Sequence, residues 1–204
     1  QTDCGNYTLI EHCYFQNAGS GTNSLHSVGL WIRSKNEETD VIIRNNIFEN
    51  VMKIGGTGYI TLGYAETVNS GFKIYGNVFF ESSELAGPSR LIGSNGSGVI
   101  PAIVRNVKFY NNTIFRVSGN ACNIAFLYGD GAGNEAVNNL WVECDKNPSF
   151  TNIAASNNVF NSVSSNVFVD TLSRDFRLAA ANSILSAGIT LSDEFACDPL
   201  GNVR

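Results

Sequence analysis

The sequence predicts an all-β solenoid, a chain of 204 residues wound into stacked circuits around a ladder of asparagines. Two observations predict it. The first is a returning motif of two turn-forming residues, usually Asn-Asn, followed by an apolar residue and then usually an aromatic. It reads Asn45-Asn46-Ile47-Phe48, Gly76-Asn77-Val78-Phe79, Asn111-Asn112-Thr113-Ile114, Asn138-Asn139-Leu140-Trp141 and Asn157-Asn158-Val159-Phe160, with a degenerate first copy at His12-Cys13-Tyr14-Phe15. Such self-similarity marks a fold whose repeats bury their apolar faces only by stacking on one another. The second is alternation ahead of the motif. Val41 and Ile43, Phe72 and Ile74, and Val107 and Phe109 are apolar, while Arg44, Lys73, Tyr75, Lys108 and Tyr110 occupy the intervening positions. This is the period of a strand with one buried and one wet face, and no helical period competes with it.

The elements follow in chain order. Residues 7 to 10 enter directly as a strand, and further strands are expected at 28–33, 59–64, 91–92 and 123–128, between the motifs. The first turn slot holds Asn45, Gly76, Asn111, Asn138 and Asn157, residue types that tolerate a left-handed backbone. The second slot is Asn46, Asn77, Asn112, Asn139 and Asn158. Stacked amides there can bond one another and the turn backbone, satisfying groups that would otherwise be buried unpaired. Phe48, Phe79, Ile114, Trp141 and Phe160, two positions on, form the expected inward stack. The spacing between copies varies widely, which suits loops of different length on a fixed coil.

The asparagine ladder, the inward aromatic stack and the strand-turn-strand circuits resemble right-handed parallel β-helix proteins of the pectate-lyase-like superfamily, over roughly residues 7 to 170. The stretches Asp175-Phe176-Arg177-Leu178, Asn182-Ser183-Ile184-Leu185-Ser186-Ala187-Gly188 and Asp198-Pro199-Leu200-Gly201-Asn202-Val203-Arg204 look like the closing segment of secreted bacterial members. The resemblance implies a single-stranded right-handed parallel β-helix over residues 1–204, with an irregular closing segment at 171–204. It implies little about activity, because such proteins include lyases, hydrolases and adhesins.

Composition agrees with a secreted or cell-surface protein of one domain. Charged residues make up 15% of the chain, Asn, Ser, Gly and Thr supply most of the polarity, and no linker divides it. A net charge of −5 argues against nucleic acid as a partner. No apolar run approaches membrane-spanning length, so no membrane insertion is expected, and no signal peptide is present. If the protein is exported, Gln1 follows a cleavage site or the boundary of a longer chain.

Five cysteines leave at least one thiol outside any intramolecular disulfide. Cys4 and Cys13 could cross-link the first circuit, Cys144 falls in register with Val51, Val117 and Val163 as a small apolar residue, and Cys122 and Cys197 have no assigned role. No Cys-x-x-Cys spacing supports structural zinc. The sequons at Asn6, Asn95 and Asn111 read as chance in a chain rich in Asn and Ser.

The resemblance implies a site on one lateral face, where lyases of this kind use an Arg or Lys base and a calcium ion held by acidic residues. Here the outward positions stack Arg44 over Tyr75 and Tyr110, beside Lys73 over Lys108. Flat tyrosine faces suit sugar rings and the cations would attract an acidic glycan, so this row is the carbohydrate-binding candidate. The bland reading is a solvated sheet face with favourable cross-strand pairs. Trp31 is a further candidate sugar platform or protein contact, unless a loop covers it. Calcium ligands would have to come from Glu81, Glu84, Asp130 and Glu143, which form no spaced cluster, so no cofactor is expected, with calcium as the alternative. Gly129-Asp130-Gly131-Ala132-Gly133-Asn134 opens no helix and reads as a flexible turn. His12 and His26 support no triad, and His12 fills a turn slot.

Three functions follow as expectations. The first is a module that binds polysaccharide, and the second a structural or adhesive protein assembling end to end, because the first circuit enters without a preceding amphipathic cap. The third is a lyase or hydrolase, for which the sequence offers no acid-base pair.

Overall fold

The computed structural model describes residues 2–3, 7–16, 28–33, 38–51, 58–63, 67–82, 90–94, 101–161, 167–179, 183–192 and 195. Cys4, His26, Glu84, Cys197 and the acceptors Asn6 and Asn95 lie outside the described residues, as does the stretch from Asp198 to Arg204.

Parallel strands cannot be joined by a tight hairpin, so each must be reached by a crossover. Here the crossover is made of other strands. The chain runs β1 (Thr2–Asp3), β2 (Tyr7–Glu11) and β3 (Tyr14–Gln16), then β4 (Val28–Arg33), β5 (Glu38–Arg44) and β6 (Ile47–Glu49). It continues through β7 (Gly58–Leu62), β8 (Val68–Tyr75) and β9 (Val78–Phe80), then β10 (Ile92–Ser94), β11 (Ile103–Tyr110) and β12 (Thr113–Phe115). Two shorter circuits follow: β13 (Ile124–Ala125), β14 (Glu135–Val137) and β15 (Leu140–Val142), then β16 (Phe150–Thr151), β17 (Ala154–Ser156) and β18 (Val159–Asn161). Every third strand returns to the same sheet. Sheet A holds β1, β4, β7, β10, β13 and β16, sheet B the strands from β2 to β17, and sheet C those from β3 to β18. The pairing within all three is parallel. This all-β arrangement of stacked parallel sheets is compatible with a parallel β-helix.

The turn between sheets B and C has the backbone that its residues suit. His12, Asn45, Gly76, Asn111, Asn138 and Asn157 all have φ between 51° and 65°. A left-handed residue turns one strand sharply into the next and leaves the following N–H pointing into the interior, where it needs an acceptor. The ladder supplies it. The Oδ1 atoms of Asn46, Asn77, Asn112, Asn139 and Asn158 accept the backbone N–H of Cys13, Asn46, Asn77, Asn112 and Asn139, at 2.9–3.0 Å. Each Nδ2 from Asn46 to Asn139 donates to the next Oδ1, at 2.9–3.0 Å. Its second hydrogen reaches back to a strand carbonyl of the preceding circuit, Ile10, Ile43, Ile74 or Phe109, at 2.8–3.0 Å. Four of these asparagines are only 1% exposed, yet both polar atoms of each amide are used.

The same register builds the core. In sheet C, Phe15, Phe48 and Phe79 stack face to face, with centroids 4.7 and 4.8 Å apart and planes within 7°. That separation is the strand spacing itself. Ile114 interrupts the column and Trp141 and Phe160 resume it at 5.3 Å, Phe160 being 45% exposed on the edge strand β18. Sheet B contributes Ile10, Ile43, Ile74, Phe109 and Ala136, and sheet A contributes Leu30, Ile60, Ile92 and Ile124. Cys144 packs half-buried against this core, in the role its register predicts, and Cys122 lies fully within it.

The outer face of sheet C is apolar too. Phe80, Phe115, Leu140 and Val142 are covered by Val167, Phe168, Phe176 and Leu178. The covering residues belong largely to a hairpin of β19 (Phe168–Asp170) and β20 (Asp175–Leu178), so the stretch expected to be irregular from residue 171 contains a strand. Arg174, in the hairpin turn, clamps the carboxylate of Glu49 with bonds of 2.9 and 3.2 Å. Glu49 is 3% exposed, and this bidentate pair satisfies a charge that could not otherwise be buried.

The ladder yields the first prediction. Asn112→Leu is expected to destabilise the fold by about 1–3 kcal/mol, because it removes the oxygen that accepts the Asn77 N–H and Nδ2 and the amide that donates to the Ile74 carbonyl. The urea midpoint measures this, and an unchanged midpoint would show the amide column to be dispensable.

Candidate functional site

Sheet B places the predicted row. Arg44 stands opposite Tyr75 and Tyr75 opposite Tyr110, while Lys73 stands opposite Lys108. The two columns are those the alternation implies. Their exposure differs from expectation, because Tyr75 and Tyr110 are only 4% and 6% exposed. Phe195 lies edge-on to both rings, with centroids 5.0 and 4.8 Å away and interplanar angles of 86° and 78°. The approach to it is pinned: Asn138 donates to the Ile189 carbonyl at 2.7 Å and accepts the Ile189 N–H at 3.0 Å, and Asn111 donates to the Phe195 carbonyl at 2.7 Å. The tyrosine faces are therefore closed to a sugar ring. An alternating pattern reports which way a side chain leaves its strand, and it carries no record of a segment that later folds over it.

The polar groups of the row are engaged along the stack. Arg44 donates from Nε to Glu11 at 2.7 Å and from Nη1 to the Tyr75 hydroxyl at 3.1 Å, and these bonds raise its pKa further above the usual guanidinium value. Lys73 lies 3.6 Å from Asp40, and Lys108 lies 3.0 Å from Glu135. Glu135 also accepts the Tyr110 hydroxyl. The Tyr110 bond first, and Lys108 second, hold its carboxyl below the ordinary range, while burial and then Glu135 push the Tyr110 hydroxyl up. Beside them Arg105 grips Asp130 through two bonds of 3.0 Å. The Gly129–Gly133 segment expected to be a flexible turn is thus anchored, and Gly133 passes so close to Asn106 that an added Cβ would lie 2.0 Å from its Oδ1.

Trp31 sits elsewhere. It belongs to β4 in sheet A, opposite Thr61, and is half-buried, with Nε1 donating to the Gly63 carbonyl at 3.3 Å and the Arg33 guanidinium 5.2 Å from its ring centroid. The sequence candidates therefore divide between two sheets.

The acidic residues considered for calcium do not converge. Asp130 binds Arg105, Glu143 binds Arg116 at 2.5 Å, and Glu81 is buried. Among the described residues no three His, Cys, Asp or Glu side chains come together to hold a metal ion. Glu81 instead accepts bonds from the Tyr59 hydroxyl at 3.0 Å and the Ser118 hydroxyl at 3.1 Å. Burial pushes its carboxyl up, and burial followed by the neighbouring Glu81 pushes the Tyr59 hydroxyl up. The sequence signal for this unit was slight: a carboxylate directly after Phe79-Phe80, in the slot between sheets C and A that Asn50, Arg116 and Glu143 fill in other circuits.

Compared with protein-family models, with curated proteins and with solved structures, the chain finds no match in any of the three. Among the described residues no helix is long and apolar enough to cross a membrane.

Glu81 supports a prediction about pH. Its folded pKa lies above the ordinary 4.5, so the stability associated with its neutral form is fully present below that value and is lost as pH rises through the raised one. Urea midpoints between about pH 4 and pH 7 are expected to fall more steeply for the native chain than for Glu81→Gln, which carries no titrating proton. Parallel curves would mean that Glu81 titrates normally.

Proposed function

We propose that this chain is a right-handed parallel β-helix, secreted or displayed at a cell surface, that binds polysaccharide along the outer face of sheet B without cleaving it. The observation that carries the reading is the set of partly exposed ion pairs that link neighbouring strands: Glu11 with Arg44 and Lys108 with Glu135 in register, and Asp40 with Lys73 on a diagonal. Polar side chains on neighbouring strands of one sheet face, as at Lys73, Lys108 and Glu135, offer hydrogen bonds to successive rings of an extended glycan. The sparse charge of the chain and its resemblance to pectate-lyase-like proteins agree with this.

Geometry argues against cleavage at this row. Asp40 and Glu135 stand three strands apart, about 14 Å at the usual strand spacing, and Glu11 lies four residues beyond the partner of Asp40, about 13 Å along the strand. Carboxyl pairs that hydrolyse glycosides stand about 5–9.5 Å apart. Arg44 is engaged by Tyr75 and Glu11, which raise its pKa and disfavour the neutral form that a lyase base needs.

Pull-down with a panel of insoluble polysaccharides tests the reading. Arg44→Ala, Lys73→Ala and Lys108→Ala are each expected to weaken retention about 2–12-fold, the equivalent of losing one hydrogen bond of about 0.5–1.5 kcal/mol. Undiminished retention in all three would place the site elsewhere, and new ultraviolet absorbance from unsaturated ends would reveal a lyase.

A second reading, self-association end to end, draws on apolar exposure at the two edges of the stack. Tyr7 and Tyr14 on β2 and β3 are 60% and 48% exposed, and Phe160 on β18 is 45% exposed. Light scattering is then expected to show mass growing with concentration. A constant monomer mass would rule this out.

A further inference from the structure

We infer that the glycan class held on this face is a neutral polysaccharide, not the acidic one that its lysines and arginines first suggest; the inference rests on the polysaccharide-binding reading above. The reason is the charge balance of the face. Arg44 is matched by Glu11 at 2.7 Å, Lys73 by Asp40 at 3.6 Å, Arg105 by Asp130 at 3.0 Å and Lys108 by Glu135 at 3.0 Å. Among the described residues these four cations and four carboxylates balance, on a chain whose own net charge is −5. A polyuronate brings a carboxylate with every sugar. Each would have to displace a protein carboxylate from its cation, and the surrounding field would repel it.

Hydroxyl groups meet the opposite situation. A paired carboxylate retains acceptor sites, since its two oxygens offer about four lone pairs and the salt bridge occupies one or two of them. A paired ammonium or guanidinium likewise retains N–H donors. A sugar hydroxyl donates and accepts at once, so it can bridge the two members of a pair without separating them. All eight side chains are between 29% and 57% exposed, open enough to be reached from solvent. Lys73, Lys108 and Glu135 follow one another at one register on three successive strands, about 4.8 Å apart, close to the length of one pyranose ring in an extended chain. With Tyr75 and Tyr110 closed beneath Phe195, hydrogen bonding to hydroxyls takes the place of ring stacking.

The test compares retention on neutral matrices, cellulose and mannan, with retention on polygalacturonate, at salt from about 0.02 to 0.5 M. The expected result is retention on at least one neutral matrix, steady across the salt range, with polygalacturonate holding at least about tenfold less protein. The double variant Asp40→Asn with Glu135→Gln removes two carboxylate charges from the face while nearly preserving shape. It is expected to lose neutral retention and to gain salt-sensitive retention on polygalacturonate, with an unchanged far-ultraviolet spectrum and melting midpoint confirming the fold. Native protein held as strongly by polygalacturonate as by the neutral matrices would overturn the inference and leave the binding reading standing. Retention by none of the matrices would overturn both.

Discussion

The buried amide column between sheets B and C is the constraint on which the rest of this molecule depends. A stack of parallel strands has to turn a corner in every circuit, and each corner leaves a backbone N–H facing an interior without water. Asn46, Asn77, Asn112 and Asn139 meet that demand with both hydrogens and the oxygen of their amides. A side chain one atom longer or shorter would not span the circuits with the same bonds. The ladder also sets the register, and a slip of one residue would turn every buried side chain outward.

The columns follow from that register. Phe15, Phe48 and Phe79 stack at the strand spacing because the ladder aligns their circuits, and Ile43, Ile74 and Phe109 fill the facing wall of sheet B. Outside the coil the same alignment brings Arg44 to Glu11 and Lys108 to Glu135, residues from successive circuits. The ion pairs are a by-product of the stacking that buries the core. Exposed pairs of this kind contribute little stability, roughly 0–1 kcal/mol each, so the fold does not depend on them.

The closing part of the chain covers two outer faces. The β19–β20 hairpin shields the apolar outside of sheet C and is fastened by Arg174 to Glu49, while Phe195 caps the two tyrosines of sheet B. Both contacts remove apolar surface from water. The second also changes what sheet B offers to solvent, since it closes the two aromatic faces and leaves the neighbouring ion pairs partly exposed.

Much of the fold was legible because its signals are local. The doubled asparagines mark the turn and the ladder, alternation marks the strand faces, and a fixed offset marks the aromatic column; each depends on residues a few positions apart. The composition of the lateral row was legible for the same reason. Only the tertiary structure decided how that row is used. Whether Tyr75 and Tyr110 face solvent depends on Phe195, whether Lys73 and Lys108 are surplus charges depends on Asp40 and Glu135, and whether Glu81 is a surface carboxylate depends on Tyr59 and Ser118. Glu49 can be buried as a charge because Arg174, 125 residues along the chain, folds back to meet it. A repeat pattern specifies which way a side chain points, since that is a property of its own strand. What it meets there is set by the variable loops between repeats and by the segment that closes over the stack, and these obey no period.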